Sequence, residues 1–475
     1  MSGFMDTAEH GRRWAGILLA AAVLTLYGYR QVWLLAAPPP GSRDRNALGR
    51  IHAANDFKHL YLGAKILRLG ESPYNPDWMR RFARQYGVSI NPYVYLPFTA
   101  QAMAPLTSLS LRAAIEVWFG LNHLMTLAAL AVMATMWPQR LHVPVFALLV
   151  GAAAMAYPLT RTLTAGQLNC ALLLALAIYW AASERDRPWV AGGALAFAAL
   201  FKIVPAVLIL APLMQRRWKL LAATGVWLAA LLSLSAASCG MGRYLEFAPV
   251  ARDMGYGRST WADVGFEFYR DPFNQSLNAF FHRAFAQNPT VIPYRDWGPR
   301  FANAATWAAT LALLAIGMTA LGWGRLAGLR RRTAPAAPPA DCRAETPARR
   351  ELDLALAILL MLLAPSLYWD HYGVLLVLPL VLIARHRPGW MGWTGIGLAV
   401  ALTAAPQGFF MYDVAPRLPL GAALYSMQLW ATLIVFAVAV ALRLRAGATV
   451  PETDAPVNPA ENADAVPGCP RSGGR

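Results

Sequence analysis

The chain reads as an all-α polytopic membrane protein, and three observations predict that class. Of its 475 residues, 57% are hydrophobic and 14% charged, with a mean hydropathy of +0.38. Apolar runs of membrane-spanning length recur along the whole sequence. The net charge of +17 sits in the short connections between those runs, which is the positive-inside pattern. Spread in that way, the basic residues make no patch for nucleic acid, and no nucleic-acid partner is expected.

Segment 14–36 follows Arg12 and Arg13, so its N-terminal end stays in the cytoplasm. Its length, and the apolar segments after it, mark an uncleaved anchor rather than a signal peptide. The remaining expected spans are 113–137, 142–158, 167–183, 189–203, 205–215, 217–239, 301–323, 353–368, 371–385, 390–406 and 420–443, about twelve in all. Region 189–215 decides the register. Glu184-Arg185-Asp186-Arg187 before it and Gln215-Arg216-Arg217-Trp218-Lys219 after it both carry inner-side charge. The segment must therefore go out and return, with Lys202 and Pro205 at the turn, because proline breaks a helix and lysine prefers the wet end.

From there Arg325 with Arg330-Arg331-Arg332, Arg385 with Arg387, and Arg443 with Arg445 fall inside. The expected organisation is a cytoplasmic N-terminus 1–13, a transmembrane unit 14–443 and a disordered cytoplasmic tail 444–475. Long outer loops are expected at 37–112 and 240–300, short outer turns near Thr160 to Gly166, Lys202, Trp369 and Gln407 to Pro419, and a cytoplasmic loop at 324–352, rich in Arg, Pro and Ala. Cys170, Cys239, Cys342 and Cys469 form no paired motif, so unpaired thiols are expected.

The polar clusters gather on the outer side. Asp56 lies in a stretch, 54–69, that reads as a helix on the outer surface. There Lys58, Lys65 and Arg68 share one side, and Asp56, His59, Gly63 and Leu67 another. Asp56 is either a surface charge balancing Lys58 or a general base aimed into a cavity. Segment 93–105, interrupted at Pro97 and Pro105, is too broken to span and should dip into the membrane surface. Gln167 and Asn169 open a span, either as interhelical hydrogen-bonding amides or as sugar ligands. Lys202 at membrane depth either snorkels or serves a function, because an ammonium there is costly unless paired or hydrated. Asp370-His371 joins two spans within an aromatic belt, where His371 can hold an anion or move a proton. No glycine-rich nucleotide loop, Asp-x-Asp pair, Gly-x-Ser-x-Gly elbow or His-Glu-x-x-His site occurs, so no metal or cofactor is expected.

Asp56 through Tyr61, Gly70…Pro73-Tyr74, Tyr95-Leu96-Pro97, Gly166-Gln167-Leu168-Asn169, Lys202 and Trp369…His371-Tyr372 occur in this order. In that order they resemble glycosyltransferase family 87, the bacterial polyprenyl-phosphate-mannose-dependent mannosyltransferases of the GT-C superfamily. The resemblance covers about residues 14–443. Two positions differ from the family pattern: Tyr-Leu-Pro stands for tyrosine-proline-proline, and Phe57 follows the acid in place of a tyrosine.

The resemblance implies a GT-C-like bundle with outer-face interfacial helices in a bacterial inner membrane, working on its outer face. It implies Asp56 as the catalytic general base, Lys202 and His371 near the donor phosphate, and Gln167, Asn169, Asn274 and Gln275 near sugar hydroxyls. The implied partners are a polyprenyl-phosphate sugar donor, a glycolipid or glycan acceptor and membrane lipids. The rival class is a twelve-span transporter of a small polar or lipid-linked solute. Such proteins show related halves and broken helices meeting at the midplane; no repeat is evident here.

Overall fold

The computed structural model describes residues 2–36, 50–88, 92–262, 265–289, 291–322, 346–405, 418 and 421–448. Most of the expected loop 324–352, the tail beyond residue 448, residues 37–49 of the first outer loop, and most of the turn 407–419 lie outside the described residues. So do Cys342 and Cys469.

The described residues are helical almost throughout. In chain order the α-helices are α1 (Ser2–Ala36), α2 (Asn55–Arg68), α3 (Pro76–Gln85), α4 (Pro97–Met103), α5 (Leu111–Ala134), α6 (His142–Met155) and α7 (Tyr157–Ala165). Next come α8 (Asn169–Glu184), α9 (Pro188–Phe201), α10 (Leu210–Met214), α11 (Trp218–Cys239), α12 (Met241–Asp253), α13 (Leu277–Phe285) and α14 (Gly298–Leu321). The last group is α15 (Pro347–Leu363), α16 (Val377–Arg385), α17 (Gly389–Ala404), α18 (Gly421–Leu424) and α19 (Met427–Ala448). Proline at the first helical turn of α3, α4, α7, α9 and α15 suits positions whose N–H has no intrahelical acceptor.

Among the described residues, five helical stretches are long and apolar enough to cross a membrane: Trp14–Trp33, Leu111–Ala134, Trp218–Cys239, Gly298–Leu321 and Met427–Ala446. Helices α6 and α7 would add a sixth as one span bent by 68°. Other apolar helices, among them α8 and α9, are shorter. The structure thus shows a multi-pass membrane protein, and the expected dozen full spans are matched by length in five or six cases.

The break at Lys202 is real. Helix α9 ends at Phe201, Lys202 is extended at φ −154° and ψ 125°, and a 3-10 stretch, Val204–Ile209, leads into α10. The chain leaves the end of the bundle where α8 finishes and comes back to it, because Arg217 donates to the carbonyl of Ser183 at 2.8 Å. Helix α11 then runs alongside α9, and the two meet at Gly192, where a Cβ would sit 2.7 Å from the Thr224 backbone nitrogen. Close backbone approach at a small residue is how helices pack where hydrophobic burial gives no drive.

At the end of the bundle marked by Ser183, α15 is clamped by ions. Glu351 meets Arg385 at 3.2 Å and His386 at 2.9 Å, Asp353 meets Arg443 at 2.5 Å, and Glu184 meets Arg350 at 3.1 Å. Cys170 and Cys239 are both free thiols.

Candidate active site

The opposite end of the bundle holds the other polar residues. Helix α2 supplies the acid. Sequence pattern placed this helix on the surface; the structure instead buries Phe57, His59 to Ala64, Ile66 and Leu67. The reason is the neighbourhood. Gly63 is packed so closely by the Tyr93 ring that a Cβ would lie 2.4 Å from it. Phe57 stacks on Trp118 and sits against Gly166, where φ is +70° and a Cβ would lie 2.5 Å from that of Phe57. Glycine there meets both the left-handed backbone and the contact. Lys65 and Arg68 are tied down as well, by Tyr86 Oη at 2.5 Å and Thr107 Oγ1 at 2.7 Å.

The Ala54 N–H donates to the Thr164 carbonyl at 3.1 Å, which fixes the first turn of α2 beside the α7–α8 corner. Asp56, in that turn, makes no hydrogen bond or ion pair with any of the described residues. It lies within electrostatic reach of Lys202, His371, Arg161, Tyr95 and Tyr372.

Across from it is a cluster built around Lys202. Its Nζ lies 3.5 Å from Gln167 Oε1 and 3.3 Å from Asn169 Oδ1, and 3.8 Å from the centre of the Tyr372 ring. Burial lowers the Lys202 ammonium to about 7, against the opposing pull of Asp56. The other ends of the two amides extend the cluster. Gln167 Nε2 reaches Tyr95 Oη at 3.4 Å, and Asn169 Nδ2 donates to the His371 carbonyl at 2.9 Å. Tyr95 is placed by α4, whose Thr99 and Gln101 bond the ends of α9 and α11 through the Phe201 and Ser235 carbonyls.

His371 stands in the turn between α15 and α16. That turn is held by main-chain pairing with 273–275: Asp370 N to Phe273 O at 2.8 Å and Gln275 N to Tyr368 O at 2.5 Å. Asn274 and Gln275 are fully buried and are bonded to backbone groups. Asn274 donates to Phe268 and Ser366 carbonyls and accepts from the Ser276 and Tyr368 N–H groups. Gln275 donates to Pro272 and Tyr425 carbonyls and accepts from the Gln428 N–H. Their geometry anchors the loop that carries His371.

One group escaped the sequence reading. Arg161 on α7 meets Asp370 at 2.8 Å. The available signal was an arginine in a turn that the sequence reading expects on the outer side, where the charge rule expects few.

The arrangement therefore brings a carboxylate with no bond to the described residues within electrostatic reach of an ammonium and an imidazole, beside two amides. It can accept a proton on one side and hold an anion on the other. The model of glycosyltransferase family 87 matches residues 93–340, just over half of the 475-residue chain. The chain belongs to glycosyltransferase family 87. It is a membrane glycosyltransferase, and the transporter alternative finds no support. The family 87 match includes Tyr95, Gln167, Asn169 and Lys202, whereas Asp56 and His371 lie beyond its two ends. No curated protein and no solved structure matches the chain.

Proposed function

We propose that this family 87 enzyme moves a hexose, mannose in the first instance, from a polyprenyl-phosphate donor to a glycolipid or glycan acceptor on the outer face of a bacterial inner membrane. The observation that carries the reading is the Asp56 carboxylate, which bonds none of the described residues and lies within electrostatic reach of Lys202 and His371. A sugar on polyprenyl phosphate needs no nucleotide. Its phosphate leaves as an anion, and cations at Lys202 and His371 stabilise the charge that grows there. The acceptor hydroxyl becomes a nucleophile as Asp56 takes its proton. Direct displacement then inverts the anomeric centre, by the logic that separates one-step from two-step glycoside chemistry. Gln167 and Asn169 orient Lys202 and face the sugar hydroxyls, while Asn274 and Gln275 act one layer back, by holding the His371 loop.

Asp56→Asn tests this. The substitution keeps the shape and removes the base, so turnover of a polyprenyl-phosphate hexose by purified enzyme should fall by roughly a hundredfold to ten-thousandfold. Donor binding should persist, and the fold should survive, because Asp56 bonds none of the described residues. Near-normal turnover would end the assignment of Asp56 as base.

A further inference from the structure

Asp370 is surrounded by donors. Its Oδ2 accepts from Arg161 Nε at 2.8 Å and from the Tyr157 hydroxyl at 3.3 Å. Its Oδ1 accepts the His371 backbone N–H at 2.8 Å and lies 3.3 Å from His371 Nδ1. Burial alone would push this carboxyl up, but Arg161 and His371 hold it below the usual carboxylate range. It is ionised at neutral pH and offers lone pairs alone. The 3.3 Å contact between this lone-pair-only carboxylate and Nδ1 favours a hydrogen on that nitrogen. Burial keeps the imidazole itself neutral, with Asp370 and Asp56 working the other way and Lys202 adding to the effect. The second ring nitrogen, Nε2, is buried and has no hydrogen-bond partner among the described residues. The Trp369 ring lies parallel to the imidazole within 7°, with centroids 6.5 Å apart.

We propose that Arg161 is a positioning residue that acts through Asp370, fixing His371 as the Nδ1–H tautomer and leaving Nε2 as the open proton-accepting atom of the site. The tautomer rests on the Asp370 contacts and on that carboxyl being ionised; its use rests on the reading of His371 as a phosphate contact. A bare nitrogen lone pair repels a phosphate oxygen. Nε2 therefore takes a proton from bulk water as the phosphate arrives, and the resulting Nε2–H donates to the phosphate. The charged groups facing the ring are Asp370 beside it, Arg161 from α7, Asp56 from α2 and Lys202 after α9. Asp271, from the loop that pairs with 368–370, faces Asp370 and is itself raised by burial to about 6.

The test uses full-length protein in nanodiscs with nitrogen-15-labelled histidine. Magnetic resonance reads which ring nitrogen is protonated, and His371→Gln identifies the signal. The wild type should show Nδ1–H with bare Nε2, Arg161→Gln should lose that preference, and Arg161→Lys should restore it. A wild-type Nε2–H signal, or an unchanged tautomer in Arg161→Gln, overturns the proposal whatever the enzyme transfers. Polyprenyl phosphate without sugar is the second probe. Its binding should take up a proton in the wild type, seen as buffer-dependent binding heat, and lose that uptake in Arg161→Gln. Binding without proton uptake overturns the role given to Nε2. The expected tautomer with no polyprenyl-phosphate binding at all upholds the positioning and defeats the donor reading instead.

Discussion

At the scale of single residues, Lys202 carries the most consequence. An ammonium lowered to about 7 is about nine-tenths charged at pH 6 and about one-tenth charged at pH 8. If the charged form holds phosphate, affinity for polyprenyl phosphate should fall roughly tenfold between those values. Lys202→Arg, which stays charged throughout, should flatten that dependence in a titration of binding against pH, and a steep profile in the arginine variant would assign it to another group. The sequence revealed Lys202 because a cation inside an apolar run stands out. Arg161 did not stand out: it sits among Thr160, Thr162 and Thr164 in a stretch that reads as an ordinary polar turn, and its importance lies in Asp370, 209 positions away. Asn274 and Gln275 are the converse. Their residue type suggests sugar binding, and nothing in their local pattern shows that surrounding carbonyls and N–H groups use their amides.

At the scale of elements, apolar runs marked the five long spans and several shorter helices but not α3, α7, α12 or α13, because one-dimensional hydropathy records what a segment avoids. It does not record which neighbours arrive. Helix α2 has the alternation of an interfacial helix, yet Tyr93 and the α7–α8 corner cover it. The signals of that covering were Gly63 and Gly166, which a local reading takes for ordinary small residues. The α9–α10 break was legible because inner-side charges bracket a segment too short to cross and return unbroken. Gly192 on α9 gives this scale its test. Alanine there would drive a methyl into the backbone of α11 at Ala223 and Thr224. Overpacking of this kind costs about 1–3 kcal/mol, so Gly192→Ala should lower the thermal midpoint in detergent. An unchanged midpoint would mean that the two helices can separate freely.

At the scale of the whole molecule, the bundle keeps two chemistries at opposite ends: an incompletely paired cluster around Lys202, and a self-satisfied ionic clamp around α15. Removing one member of a buried pair strands the other, at about 3–5 kcal/mol. Arg443→Met should therefore destabilise strongly, and Arg443→Met with Asp353→Leu should recover most of the loss in a detergent melt. Failure of the double variant to recover would show that Arg443 matters through packing rather than charge. The clamp also bears on biogenesis. Glu351 and Asp353 are made with α15, while Arg385 and Arg443 belong to helices translated later. Until α19 emerges from the ribosome, Asp353 lacks the partner Arg443. Helix α19 thus acts as a completion check, and a chain truncated before Arg443 should present membrane quality control with a carboxylate short of its partner.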